Sequence, residues 1–236
     1  MDAPKQQPNR FGGDEDSSLD LHMPLRLGVL GGTFDPIHVG HLLIAEGLAE
    51  ELSLSHVLLI PAGVPPHKTR QPTATATQRL HMVELAAAEN PQFRASSIDL
   101  DSPGRSYTAD LLARIRSNHG SAELYFIMGS DSLRDLPTWS RPEQIVQLAH
   151  IAVANRPGVD ANAEAVLHHL PNLRGRLYLH TVPGIDISST DIRGRVAGGK
   201  SIRYLTPDSV RRYILEQGLY STASNLVDDR SPESPR

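Results

Sequence analysis

Residues 31–41, Gly-Gly-Thr-Phe-Asp-Pro-Ile-His-Val-Gly-His, constrain this chain more than any other stretch. They follow an apolar run, Leu25 to Leu30, and precede a helical pattern that opens near Leu42. Strand, glycine turn and helix start together present backbone N–H groups and the positive end of a helix to an anion, and phosphate is the anion such turns hold. His38 and His41 stand at the mouth of the turn and share a face if both lie in the first helical turn. The stretch reads as the phosphate-handling site of an enzyme.

The rest of the chain supplies a scaffold for such a site. Leu25 to Leu30 is apolar throughout, as in a parallel strand covered on both faces. Ala45, Leu48, Ala49 and Leu52 then recur at helical spacing. His56 to Ile60 is a second buried strand, closed by the Pro/Gly-rich loop 61–68. A helix is predicted over Thr77 to Glu89, with Leu80, Val83, Leu85 and Ala87 on its apolar side. A weak strand follows over Phe93 to Leu100, then a helix over Ser106 to Asn118 capped by Ser106 or Thr108. Glu123 to Met128 is a clear strand ending at Gly129-Ser130-Asp131. After it come a short helix around Leu133, a loop to Trp139 and a helix from Pro142 to Ala149. The last third reads as a strand at His150 to Ala154, a helix at Ala161 to Leu170, a strand at Leu177 to Thr181 and a helix at Ser188 to Ala197. A final helix runs from Pro207 to Gln217, with Thr206 as its cap and Gly218 as its stop.

This alternation predicts an α/β fold, a Rossmann-like doubly wound parallel sheet with helices on both faces. Ligands of such sheets bind at the carboxyl ends of strands. The polar clusters all fall there: Thr33 to His41, Pro65 to Lys68, Gly129 to Asp131, Asn155-Arg156 and Ser188 to Arg193. With no repeat or linker between Leu25 and Tyr220, residues 25–220 are expected to form one domain. Residues 1–24 and 221–236 are polar and aperiodic, and are expected to be disordered tails. Met23, just before the first strand, is a candidate start.

Composition removes several function classes. The net charge is −4, and no basic stripe marks a nucleic-acid scaffold. The chain has no cysteine, so no thiolate metal site and no cysteine nucleophile. No apolar stretch reaches the roughly 18 residues that span a bilayer. No membrane partner, no nucleic acid and a cytoplasmic location are the expectations; the oligomeric state, monomer or homo-oligomer, stays open.

Taken alone, the two histidines read as incidental members of a capping turn, and the Gly-Gly-Thr turn directly before them is what favours a phosphate role. Zinc is disfavoured, because the glutamate and spacing of H-E-x-x-H are missing. Likewise Ser188-Ser189-Thr190 with Arg193 reads either as an ordinary helix cap beside a solvated arginine or as an anion nest.

Residues 31–41 resemble the signature of the HxGH nucleotidyltransferases. A second signature of that superfamily is matched at Ile187 to Arg193. Val64 to Lys68, Arg105 to Thr108, Gly129 to Leu133, Trp139 and Arg156 to Gly158 match, in order, the bacterial nicotinate mononucleotide adenylyltransferases within it. The resemblance implies attack of a mononucleotide phosphate oxygen on the α-phosphorus of ATP with release of pyrophosphate, the ATP carrying Mg2+ through its phosphates rather than through protein ligands. It implies that His38, His41, Lys68 and Arg193 act on the phosphates, and that Gly31, Gly32, Thr33, Phe34, Ser188, Ser189 and Thr190 bind ATP. It places Asp131 at a ribose hydroxyl and Trp139 against the pyridine ring. Tyr107 and Thr108 would hold the nicotinate carboxylate by their backbone N–H groups, with Lys68 nearby. Arg156 is either a salt-bridge partner or a phosphate contact. The alternatives on the same fold are a nicotinamide mononucleotide or a phosphopantetheine acceptor. A non-catalytic nucleotide-binding regulator is a third reading, which the intact histidine pair disfavours.

Overall fold

The computed structural model of the chain describes residues 24–63, 73–101, 104, 106–155, 158 and 161–222. Six strands form one sheet, parallel throughout: β1 Arg26–Gly32, β2 His56–Pro61, β3 Phe93–Ala95, β4 Glu123–Gly129, β5 His150–Asn155 and β6 Leu177–Thr181. Their order is β3-β2-β1-β4-β5-β6. The chain winds outward from β1 to β3, returns to the centre, and winds outward again from β4 to β6. The doubly wound expectation is met.

Side chains of each strand point alternately to the two faces, and the two core clusters follow that alternation. Leu27 and Val29 of β1, Leu124 and Phe126 of β4, and Ile151 and Val153 of β5 share one cluster. Leu30, Tyr125, Ile127, Ala152 and Ala154 share the other. The first face is covered by α3 Thr108–His119, α4 Ser130–Asp135, α5 Pro142–Leu148 and α6 Ala163–His169. The second is covered by α1 Val39–Glu51, α2 Ala76–Ala87, α7 Ser189–Ala197 and α8 Asp208–Glu216. Leu48 and Leu112 sit at the centres of these layers with no exposed surface, and truncating either to alanine costs about 2–5 kcal/mol.

Helix α2 departs from its predicted face. Its buried stripe is Arg79, Met82, Val83 and Ala86, with Ala87 beside it, while Leu80 and Leu85 are half-buried. The spacing i, i+3, i+4, i+7 is that of a buried helix face, and its first member is an arginine. Strand β3 is also shorter than its apolar pattern implies, stopping at Ala95. Beyond it Asp99 turns inward and accepts from the Gly63 N–H at 3.0 Å and from Arg114 at 3.2 Å. A strand cannot continue through residues so turned.

Two predicted caps are displaced. The cap of α3 is Tyr107, with no side-chain hydrogen bond, and Thr108 is its first helical residue. The cap of α8 is Pro207; Thr206 is buried and spends its hydroxyl on the Pro207 carbonyl at 3.0 Å. The expected tails lie outside the described residues except for 24, 221 and 222, as do Met23, Lys68 and Arg156.

Candidate active site

At the carboxyl end of β1 the chain turns into α1 where the strand order reverses between β1 and β4, the place at which such sheets bind ligands. Phe34 makes this turn with φ +48°, a left-handed conformation that a bulky residue adopts only where its surroundings hold it. Its ring is buried. A Cβ on Gly32 would lie 2.8 Å from Phe34 Cε1, so glycine there is the counterpart of the ring. Arg79 donates from Nη1 to the Thr33 carbonyl at 2.7 Å, behind the turn.

Asp35 holds the next step of the turn. Its Oδ1 accepts from the Ala74 N–H at 3.0 Å and from the Tyr220 hydroxyl at 2.8 Å, and its Oδ2 accepts from the Thr73 N–H at 2.8 Å. Arg193 donates to the Asp35 backbone carbonyl at 2.7 Å and stands 3.8 Å from Oδ2. Burial pushes the Tyr220 hydroxyl far above the usual phenol range, with the Asp35 charge and hydrogen bond adding to it. Tyr220 therefore stays a donor at every physiological pH.

His38 is the cap of α1 and His41 its third residue. The His38 N–H donates to His41 Nδ1 at 3.3 Å. With Nδ1 an acceptor, a neutral His41 carries its proton on Nε2. The two rings stack with centroids 3.7 Å apart and 25° between planes, and the Phe34 ring meets His41 edge-on at 5.0 Å. Burial pushes His38 down to about 4, so it is neutral at pH 7. Two stacked imidazolium ions would repel, and this arrangement avoids that.

Two cavities open on opposite sides of the turn. One is lined by His38, His41, Asp131, Ser188 and Ser189. The Ser188 side chain caps α7 by accepting from the Asp191 N–H at 3.0 Å, and the Ser189 hydroxyl donates to the Pro36 carbonyl at 2.9 Å. The second serine thus ties the two signature stretches together. The other cavity is lined by Gly31, Gly32, Thr33, Tyr107, Thr108 and Trp139, with Asp99 also in its wall. The uncapped amino end of α3 faces it, and the first N–H groups of a helix are free to meet an anion. Asp110 in that first turn would repel an anion, but it is neutralised by a two-pronged pair with Arg141 at 2.8 and 2.5 Å. The Arg141 hydrogen bond holds its carboxyl below the usual range.

The expected site residues thus fall into two groups flanking one turn. Phe34 lies beneath, as a buttress. Thr190 and Arg193 line neither cavity; Arg193 bonds to the Asp35 carbonyl and to the Thr190 hydroxyl at 3.2 Å. Asp131, expected at a ribose hydroxyl of the acceptor, lines the histidine cavity, where it is exposed and paired with Arg134. No motif in the sequence marks the roles of Asp35, Arg79 and Tyr220 at the turn or of Asp99 at Gly63. Among the described residues no three His, Asp or Glu side chains converge on a metal-sized space.

Residues 29–195 match the cytidylyltransferase-like family model. The "Probable nicotinate-nucleotide adenylyltransferase" of Thermomicrobium roseum is 47% identical over 209 residues, which cover 89% of this chain and 98% of the relative. The protein of the same name from a Roseiflexus species is 49% identical over 194 residues, covering 82% and 97%. In fold, the chain is similar to Plasmodium falciparum nicotinic acid mononucleotide adenylyltransferase complexed with NaAD, with a TM-score of 0.65 at 22% identity, over 83% of this chain and 97% of that one.

Proposed function

The chain belongs to the cytidylyltransferase-like family, and we infer from its nearly full-length likeness to nicotinate-nucleotide adenylyltransferases that it carries out their reaction. It transfers the adenylyl group of ATP to nicotinate mononucleotide, giving nicotinate adenine dinucleotide and pyrophosphate, a step of NAD biosynthesis.

The geometry supports a division of labour between the two cavities. We assign ATP to the histidine cavity and the mononucleotide to the Trp139 cavity, so that the acceptor phosphate meets the α-phosphorus at the turn between them. Such a transfer needs positioning and charge neutralisation rather than a covalent intermediate. In this reading the His41 Nε2–H donates to a phosphate oxygen as charge builds in the transition state. The neutral His38 sets the His41 ring by stacking on it and by its backbone N–H. The backbone N–H groups around Thr33 and Phe34 contribute further donors. Ser188 and Ser189 hold the outer phosphates, Thr190 acts through its hydrogen bond to Arg193, and Arg193 and Lys68 supply positive charge. Mg2+ enters with ATP as part of the substrate.

On the other side Trp139 stacks on the pyridine ring. The amino end of α3, at Tyr107 and Thr108, receives the ring carboxylate. An amide brings no negative charge to that helix end, which is the physical basis for preferring the acid. In this reading Asp131, which lines the histidine cavity, contacts the ribose of ATP. A cytoplasmic location and small-molecule partners alone are part of the same proposal.

The test is pyrophosphate release from Mg·ATP by the purified chain, offered nicotinate mononucleotide, nicotinamide mononucleotide or phosphopantetheine in turn. The reading requires the first to be the best acceptor. Preferential use of phosphopantetheine, or ATP binding with no pyrophosphate from any acceptor, would overturn it.

A further inference from the structure

Arg79 is an arginine where a packing residue belongs. It lies on the apolar stripe of α2, one turn before Met82 and Val83, and is 2% exposed. Lys and Arg are almost never fully buried unless paired. Yet among the described residues Arg79 makes no ion pair, and its Nε is buried with no hydrogen-bond partner. The nearby carboxylate of Asp35 is already taken by the Thr73 and Ala74 N–H groups and the Tyr220 hydroxyl, with Arg193 beside it. The guanidinium is committed to one neutral group, the Thr33 carbonyl at 2.7 Å. A leucine or methionine on this stripe would stabilise the helix packing without the desolvation of a charge. Burial also lowers the Arg79 pKa, in keeping with the cost of keeping it there.

The bond it makes lies at the base of the catalytic turn. The Thr33 carbonyl and the Phe34 N–H belong to one peptide plane and point in opposite directions. Holding the carbonyl toward Arg79 aims the Phe34 N–H away from it. The same bond braces Phe34 in its left-handed conformation, and the Phe34 ring in turn meets His41 edge-on at 5.0 Å. His41 stacks on His38 at 3.7 Å. A continuous set of contacts therefore runs from Arg79 through the Thr33–Phe34 peptide and the Phe34 ring to both imidazoles.

We propose that Arg79 is a positioning residue for adenylyl transfer: a buried cation behind the signature turn that fixes the Thr33–Phe34 peptide and, through the Phe34 ring, the His38–His41 stack. It also contributes positive charge beneath the site, offset in part by the nearby Asp35 carboxylate. The proposal rests on the assignment of His38 and His41 to the transfer step.

Two variants of the full chain test it, Arg79→Met, which keeps the length and apolar stem, and Arg79→Lys, which keeps the charge. Each is followed by thermal melting, by steady-state kinetics well below its melting temperature, and by 1H–13C spectra of the imidazole rings. Arg79→Met lowers kcat by about 100-fold with the KM for ATP within about threefold, as displacement of reacting groups does. Arg79→Lys recovers about a tenth of the parent kcat, because a point charge replaces part of the field but not the planar fork. In both, the His38 and His41 ring signals move. If Arg79→Met fails to fold, Arg79→Lys alone decides. A folded variant with kcat within threefold of the parent and unmoved imidazole signals overturns the proposal. An inactive parent chain would instead count against the adenylyltransferase reading, and the ring signals would still decide the role of Arg79.

Discussion

The Tyr220 hydroxyl donates to Asp35 Oδ1 at 2.8 Å, joining residues 185 positions apart in the sequence. One partner lies four residues beyond the end of α8, and the other lies in the turn after β1. The segment after α8 thereby supports the turn after β1. Tyr220→Phe removes only the hydroxyl and leaves a buried carboxylate one donor short. It is expected to cost about 1–3 kcal/mol of stability, read as a lowered denaturant midpoint with an unchanged slope. Tyr220→Phe with the parent midpoint would show that the bond contributes nothing.

His38 gives a prediction in pH. Its folded-state value is pushed down to about 4 by burial, below the ordinary histidine value of 6.5. Between these values the unfolded chain binds the proton and the folded chain does not, so stability falls as pH drops from about 6.5 toward 4 and is unaffected by this group above 6.5. The full effect is about 3 kcal/mol. Titration of the imidazole carbons by NMR should show the His38 signal still neutral at pH 5. A His38 midpoint near 6.5 would contradict the buried, stacked geometry.

His41 carries the chemistry in this account. His41→Ala should leave the far-ultraviolet spectrum unchanged and reduce kcat by about 100- to 1,000-fold, the usual loss for one transition-state donor. His41→Asn, which can still present an N–H, should recover part of it. Nearly intact turnover in the alanine variant would remove His41 from the mechanism.

Gly32 tests the turn itself. An added Cβ would lie 2.8 Å from the Phe34 ring, which is packed against His41 and has little room to withdraw. Gly32→Ala should cost about 1–3 kcal/mol of stability and lose activity more than the melting shift explains. Gly31→Ala is the control, since no atom lies within 4 Å of a Cβ at that position.

How far these features were legible in sequence depends on what each contact spans. The central strands β1, β4 and β5 are uninterrupted apolar runs, and burial on two faces writes that pattern directly. The turn and the Ser188 cap were readable because their residues are neighbours in the chain. Strand β3 was over-extended because Ile98 and Leu100 look like strand residues, while the inward turn of Asp99 depends on Gly63 and Arg114. Arg79 was passed over because an arginine in a helix reads as solvated. Its position three and four residues before Met82 and Val83 was the available signal. Asp35 carries no local signal of its role, because its partners Thr73, Ala74 and Tyr220 are distant in the chain. Which cavity Asp131 lines was not legible, because order along the chain does not say which way a helix start faces.

Adenylyl transfer to the acid form of the mononucleotide is read from kcat/KM for nicotinate mononucleotide and nicotinamide mononucleotide, compared with the same enzyme at saturating Mg·ATP. A carboxylate at the uncapped amino end of α3 would gain about 1–2 kcal/mol over an amide there, so the acid should be favoured by about 5- to 30-fold. Equal or better use of the amide would contradict the account.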